Sequence, residues 1–163
     1  GGNDLIYIPR SQGEINLVAY TDASGPTPIT PAQQWAALNA FIEQDDYLKS
    51  HRGSIAERFG AVNPWFGNVD LKLIQEFTLG LGGNAHAFQL SVDILNVMNL
   101  LNSDWGVRSV ASPLATSPLQ LRGFDVSGAP MFTFDRTITK TFVDDPGLDS
   151  RWQMQIGLRY LLN

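Results

Sequence analysis

RWQMQIGLRYLL (residues 151–162) alternates along its length: Trp152, Met154, Ile156, Leu158, Tyr160 and Leu162 are apolar, whereas Arg151, Gln153, Gln155, Gly157 and Arg159 are polar or small. A period of two places the two sets on opposite faces of a β-strand. The run is roughly twice as long as the usual strand of a soluble protein. It suits a tilted strand crossing a membrane, which needs about 9–11 residues.

Two further stretches read the same way. In VDLKLIQEFTL (69–79), Val69, Leu71, Leu73, Phe77 and Leu79 oppose Asp70, Lys72, Glu76 and Thr78, with Ile74 and Gln75 as breaks. In AFQLSVDILNVM (87–98), Phe88, Leu90, Val92, Ile94 and Met98 alternate with Gln89, Ser91 and Asp93. Two weaker runs lie between. Ser117–Asp125 carries Leu119, Leu121 and Phe124, and a Ser127-Gly128 turn leads into Met131–Phe142. There Phe132, Phe134, Ile138 and Phe142 oppose Thr133, Asp135, Thr137, Thr139 and Thr141, but Arg136 and Lys140 fall on the apolar face. A charge at mid-membrane on a strand costs about 2–4 kcal/mol, so a bulge or snorkelling is required of that segment.

The connections alternate in length. Gly80–Ala85 and the residues around Gly128 are short, whereas 99–116 and the first 67 residues are long. Short turns on one side and long loops on the other describe a bacterial outer-membrane β-barrel. The expected fold is therefore all-β: antiparallel C-terminal strands of a large transmembrane barrel, about five of them in 68–163. Residues 1–67 are expected to be mostly extracellular loop, with an extended run Leu5–Ile8 and one helix near 31–45. Thr30 can cap that helix, Pro31 suits its first position, Gln33 completes a capping box, and Trp35, Leu38, Phe41 and Ile42 share a face. Its acidic end, Asp45-Asp46, opposes the helix dipole and should fray.

Composition removes other classes. A net charge of −5 and a pI near 4.8 leave no basic footprint for nucleic acid. No cysteine is present for disulfides or thiolate metal sites. No apolar run approaches the roughly 20 residues of a helical span, and the opening GGNDLIYIPR has neither the basic nor the apolar region of a signal peptide. GLGGNA (80–85), with Asp104 beyond it, matches a dinucleotide-binding pattern. Its context is wrong, because the preceding run carries Asp70, Lys72 and Glu76 and the following one alternates, so a glycine-rich hairpin turn is the better account. The acidic loop Asp144–Asp149 lacks EF-hand spacing and reads as a turn. His51 and His86 belong to no catalytic motif, and Asp45/Asp46 reads as a solvated helix end. No catalytic residue, metal site, cofactor or enzymatic activity is expected, and no substrate-binding residue can be named. Trp152 and Tyr160, at opposite ends of the last run, suit the two aromatic girdles of a membrane barrel.

NDLIYIP (3–9), HRGSIAERFGAVNPWFGNVDLKL (51–73), LSVDILNVMNLLNSDWGVR (90–108) and SRWQMQIGLRYLLN (150–163) resemble, in order and spacing, the end of Oar-like TonB-dependent outer-membrane receptors. The resemblance implies a 22-stranded barrel plugged by an N-terminal domain, with these residues a C-terminal piece. It implies energised uptake of a scarce solute at the outer membrane, with loops exposed at the cell surface. The implied partners are the remaining barrel strands and plug, TonB through that plug, lipid and lipopolysaccharide, and the barrel-assembly machinery. Leu158, Tyr160 and Leu162 would form the assembly signal; Leu162 stands where the family has a Phe. Ligand specificity would reside in 8–67 and 99–116, and Arg151–Leu162 would pair with Met131–Phe142 and with a strand outside these residues. The alternatives are a structural barrel component without an import role and, on GLGGNA alone, a nucleotide-binding enzyme.

Overall fold

A computed structural model describes residues 6–22, 25–58, 60–81 and 84–162. Within them lie α1 (Pro31–Glu43), α2 (Asp46–Ser50), β1 (Leu71–Leu81), β2 (Asn84–Leu95), α3 (Val97–Leu101), β3 (Ser109–Ala111), β4 (Leu119–Phe124), β5 (Pro130–Phe134), β6 (Phe142–Asp144) and β7 (Gln153–Leu162). Short 3-10 turns cover Gln12–Glu14 and Leu148–Ser150. The chain forms two compact units, residues 1–63 with 111–143 and residues 64–110 with 144–163.

In the first unit, α1 starts where its capping residues dictate. Thr30 Oγ1 accepts from the Gln33 N–H, and the Gln33 side chain accepts from the Thr30 N–H. Its Leu38, Phe41 and Ile42 are buried with Ile8, Phe134 and Ile138, and Trp35 packs against this core. Phe41 and Phe134 meet ring to ring at 5.9 Å. Gln34, also on α1, is fully buried and stitches three segments together. Its Nε2 donates to the Val18 and Ile29 carbonyls, and its Oε1 accepts from the Phe134 N–H. The acidic helix end does not fray into solvent. Asp45 is buried and caps α2, its Oδ1 accepting from the Leu48 N–H, because a carboxylate is favourable at the next helix's positive end. In place of the extended run Leu5–Ile8, Tyr7 forms an isolated backbone bridge to Ile55; Leu5 lies outside the described residues.

β4 and β5 form a hairpin with a register shift at Gly123, whose φ of +135° is open to glycine. The run from Met131 to Phe142 is broken. Asp135 Oδ1 accepts from both the N–H and the hydroxyl of Thr137, an Asx-type turn that ends β5 at Phe134. Arg136 and Lys140 therefore lie outside any strand, and the conflict they posed on an apolar membrane face disappears. The strand resumes only as β6, which pairs with β3.

The second unit contains the sheet β1-β2-β7, antiparallel throughout. Leu71↔Ile94 through Leu81↔Asn84 set the first register, and His86↔Leu162 through Leu95↔Gln153 the second. This hairpin excludes the dinucleotide-binding reading of GLGGNA, since an antiparallel strand follows the glycines where that fold needs a helix. Gly82 and Gly83 themselves lie outside the described residues.

The fold expected from the sequence is thus corrected. The seven strands lie in three small open sheets of three, two and two strands beside three helices, not in one large transmembrane barrel. In place of the expected set of about five consecutive barrel strands, β1, β2 and β7 form one open three-stranded sheet. β4 and β5 belong to a different unit, where Phe134 sinks into a helix-covered core. β7 pairs with β2, not with Met131–Phe142.

Candidate functional site

β1, β2 and β7 are 11, 12 and 10 residues long, and their registers align like with like across all three. On one face stand the rows Leu71/Ile94/Met154, Leu73/Val92/Ile156, Gln75/Leu90/Leu158 and Phe77/Phe88/Tyr160. Gln75 is the sole polar member of these four rows. On the other face stand Lys72/Asp93/Gln155, Ile74/Ser91/Gly157 and Glu76/Gln89/Arg159. Lys72 Nζ lies 2.8 Å from Asp93 Oδ1, and Gln89 donates to Glu76, so the polar face is cross-linked strand to strand.

The apolar face is open. Leu73, Phe77, Leu158 and Ile156 are 56, 53, 75 and 67% exposed, against a general tendency of soluble monomers to avoid contiguous apolar patches beyond a few hundred Å². Val69, ahead of β1, is also half exposed. One end of β7 carries Trp152, 43% exposed, and the other carries Tyr160. The eight residue steps from one to the other span about 27 Å at ~3.4 Å per residue. At the usual strand tilt of about 35–45° that length covers about 19–22 Å of the ~25 Å apolar band between the aromatic girdles of membrane strands. Tyr160 is held by its neighbours: its hydroxyl meets His86 Nδ1, its ring stacks on the His86 ring, and Phe88 lies 5.0 Å away. The sequence offers no signal for the His86–Tyr160 pair, because it requires knowing that β7 lies beside β2. Of the three residues assigned to an assembly signal, Leu158 and Tyr160 project from the apolar face, and Leu162 pairs its backbone with His86.

At the other end of the sheet, Asn96 anchors the connection out of β2. It is buried, adopts φ 52° and ψ 54°, and its N–H donates to Asp70 Oδ1. Its Nδ2 donates to the carbonyls of Gly106 and Asp149. Trp152 N–H donates to Asn99 Oδ1 nearby.

The remaining candidates have structural uses. His51 stacks on Tyr47 at 4.2 Å, with Nδ1 against the Tyr47 carbonyl. In the acidic loop, Asp145 Oδ1 accepts from the Gly147 N–H. Among the described residues no group of three or more His, Cys, Asp or Glu side chains is placed to hold a metal ion, and no helix is long and apolar enough to cross a membrane. No protein-family model, curated protein or solved structure matches this chain.

Proposed function

We propose that the chain serves energised uptake of a scarce solute as part of a TonB-dependent receptor at the outer membrane. One observation carries this reading: β1-β2-β7 presents an exposed apolar face of membrane-crossing length opposite a polar, salt-bridged face. Lipid on one side and water on the other is the surrounding that such a two-faced sheet suits. The resemblance of its segments to Oar-like receptors supplies the transport role. In this reading lipid or lipopolysaccharide covers the apolar face of the sheet. A plug domain elsewhere makes the contact with TonB, and the assembly machinery reads the end of β7. No chemistry is performed on the solute.

The test has two arms. Membrane fractionation of cells making the full-length protein is expected to place it in the outer membrane. Solute uptake dependent on it is expected to collapse when a protonophore removes the inner-membrane gradient. Outer-membrane location with gradient-independent uptake, or no uptake at all, overturns the transport role and leaves a structural one. Recovery in the detergent-free fraction overturns the membrane reading as well.

A further inference from the structure

The first unit holds an open groove of about 1200 Å³, formed by the apolar side of the β4–β5 hairpin and the segment around residues 6–16. Leu121 and Phe132 are register partners on its floor, and Tyr7 and Phe124 add exposed aromatic surface, 38 and 64% exposed. Glu14 and Asp125 are the charged side chains among its described lining, and no Lys or Arg is among them. Arg10 lies close enough to act on Glu14 but is not part of the lining, and its guanidinium runs along Gly53.

Both carboxylates are held in place. Glu14 Oε2 accepts from the Tyr7 hydroxyl and the Arg10 N–H. Asp125 Oδ1 accepts from Ser127 and Ala129, and its Oδ2 accepts from Asn16 at 3.4 Å. These neutral donors fix the carboxylates without cancelling their charge. Each is also held below its ordinary pKa, chiefly by the Arg10 N–H for Glu14 and the Ser127 hydroxyl for Asp125, so both are ionised at neutral pH. The groove therefore combines aromatic rings, aliphatic wall and two negative charges. That combination attracts cations of low hydration, whose charge interacts with ring faces and carboxylates while their carbon surface leaves water. A net charge of −5 on the chain adds to the attraction.

We propose that this groove binds small organic cations, quaternary ammonium or protonated amine, that carry an apolar or aromatic body. The site lies wholly within the first unit and does not depend on the membrane role of the sheet.

Benzyltrimethylammonium and its neutral isostere 2,2-dimethylpropylbenzene separate charge from shape. Titrated into the isotope-labelled protein in detergent, the cation is expected to shift the backbone amide resonances of Glu14, Leu121 and Asp125 saturably. The neutral isostere is expected to shift them little. Glu14→Gln and Asp125→Asn are each expected to weaken the cation about three- to fivefold, whereas Glu57→Gln, outside the groove, should leave it unchanged. Unperturbed wild-type spectra, equal binding of the neutral isostere, or equal weakening by Glu57→Gln would each overturn the assignment. A variant with an altered amide spectrum is replaced by Leu121→Asn, which keeps both charges and should weaken the cation by removing apolar wall.

Discussion

Gln34 shows how far one side chain can hold a small unit together. Its three hydrogen bonds reach Val18, Ile29 and Phe134, so Gln34→Leu would leave the Val18 carbonyl and the Phe134 N–H without partners, while the Ile29 carbonyl keeps the Tyr20 N–H. At about 1–3 kcal/mol per orphaned group, less what relaxation recovers, a loss of about 2–4 kcal/mol is expected in urea unfolding followed through Trp35 fluorescence. Asn96 is comparable in the second unit. Gly106, at φ +61°, faces it so closely that an added Cβ would stand 2.0 Å from Asn96 Oδ1. Gly106→Ala should therefore unseat Asn96 and destabilise by about 1–3 kcal/mol, with the Asn96 side-chain amide signals moving in the NMR spectrum. Asp125 makes a pH prediction. Its depressed pKa means the unfolded chain takes up the proton first as pH falls. Its contribution to the β4–β5 turn is thus present above the ordinary aspartate value of 3.8 and lost as pH drops through the lower folded value. Protection of the Ser127 and Ala129 amides, relative to their intrinsic exchange rates, should fall in that acid window, and Asp125→Asn should abolish that fall.

Strands and helices here follow their local signals until a competing contact intervenes. The capping box opens α1 at Pro31 as its residues demand, and the alternation of 69–79, 87–98 and 151–162 returns as β1 two residues later, β2 three residues earlier, and β7 starting two residues later with the same end. Met131–Phe142 fails as one strand because Asp135 offers the chain a turn and Phe134 finds a core against α1; alternation alone carries neither fact. The two faces of β7 make matched substitutions informative. Leu158→Lys places a charge on the apolar face, whereas Gln155→Lys places one on the polar face beside Asp93. With lipid on the apolar face, Leu158→Lys should cost about 2–4 kcal/mol and reduce outer-membrane insertion, and Gln155→Lys should cost little. Equal tolerance of both, measured by heat-modifiability in membranes, would count against lipid contact.

The molecule as a whole leaves the sheet β1-β2-β7 with two outer edges. Within the described residues β2 is paired on both sides, and β1 and β7 on one side each. In the chain alone, hydrogen exchange should therefore be slowest in β2, with roughly every second amide of β7 exchanging fast, since antiparallel strands direct alternate N–H groups to opposite sides.

The sequence determined what is local: strand period and length, the capped helix, the hairpin at GLGGNA, and the separation of apolar from polar positions along each strand. Those depend on neighbours a few residues apart. Which strands pair was decided only in three dimensions. β7 crosses from residue 153 to lie beside β2, and β4 and β5 leave the sheet to pack with α1, because register and core burial are set by contacts some 60 to 100 residues distant. The groove between the 6–16 segment and the hairpin was equally illegible, since Glu14 and Asp125 stand 111 positions apart in the chain. A large barrel inferred from alternation gave way to three small sheets for the same reason: a period of two says which way a side chain points, and nothing about what lies at the strand's edge.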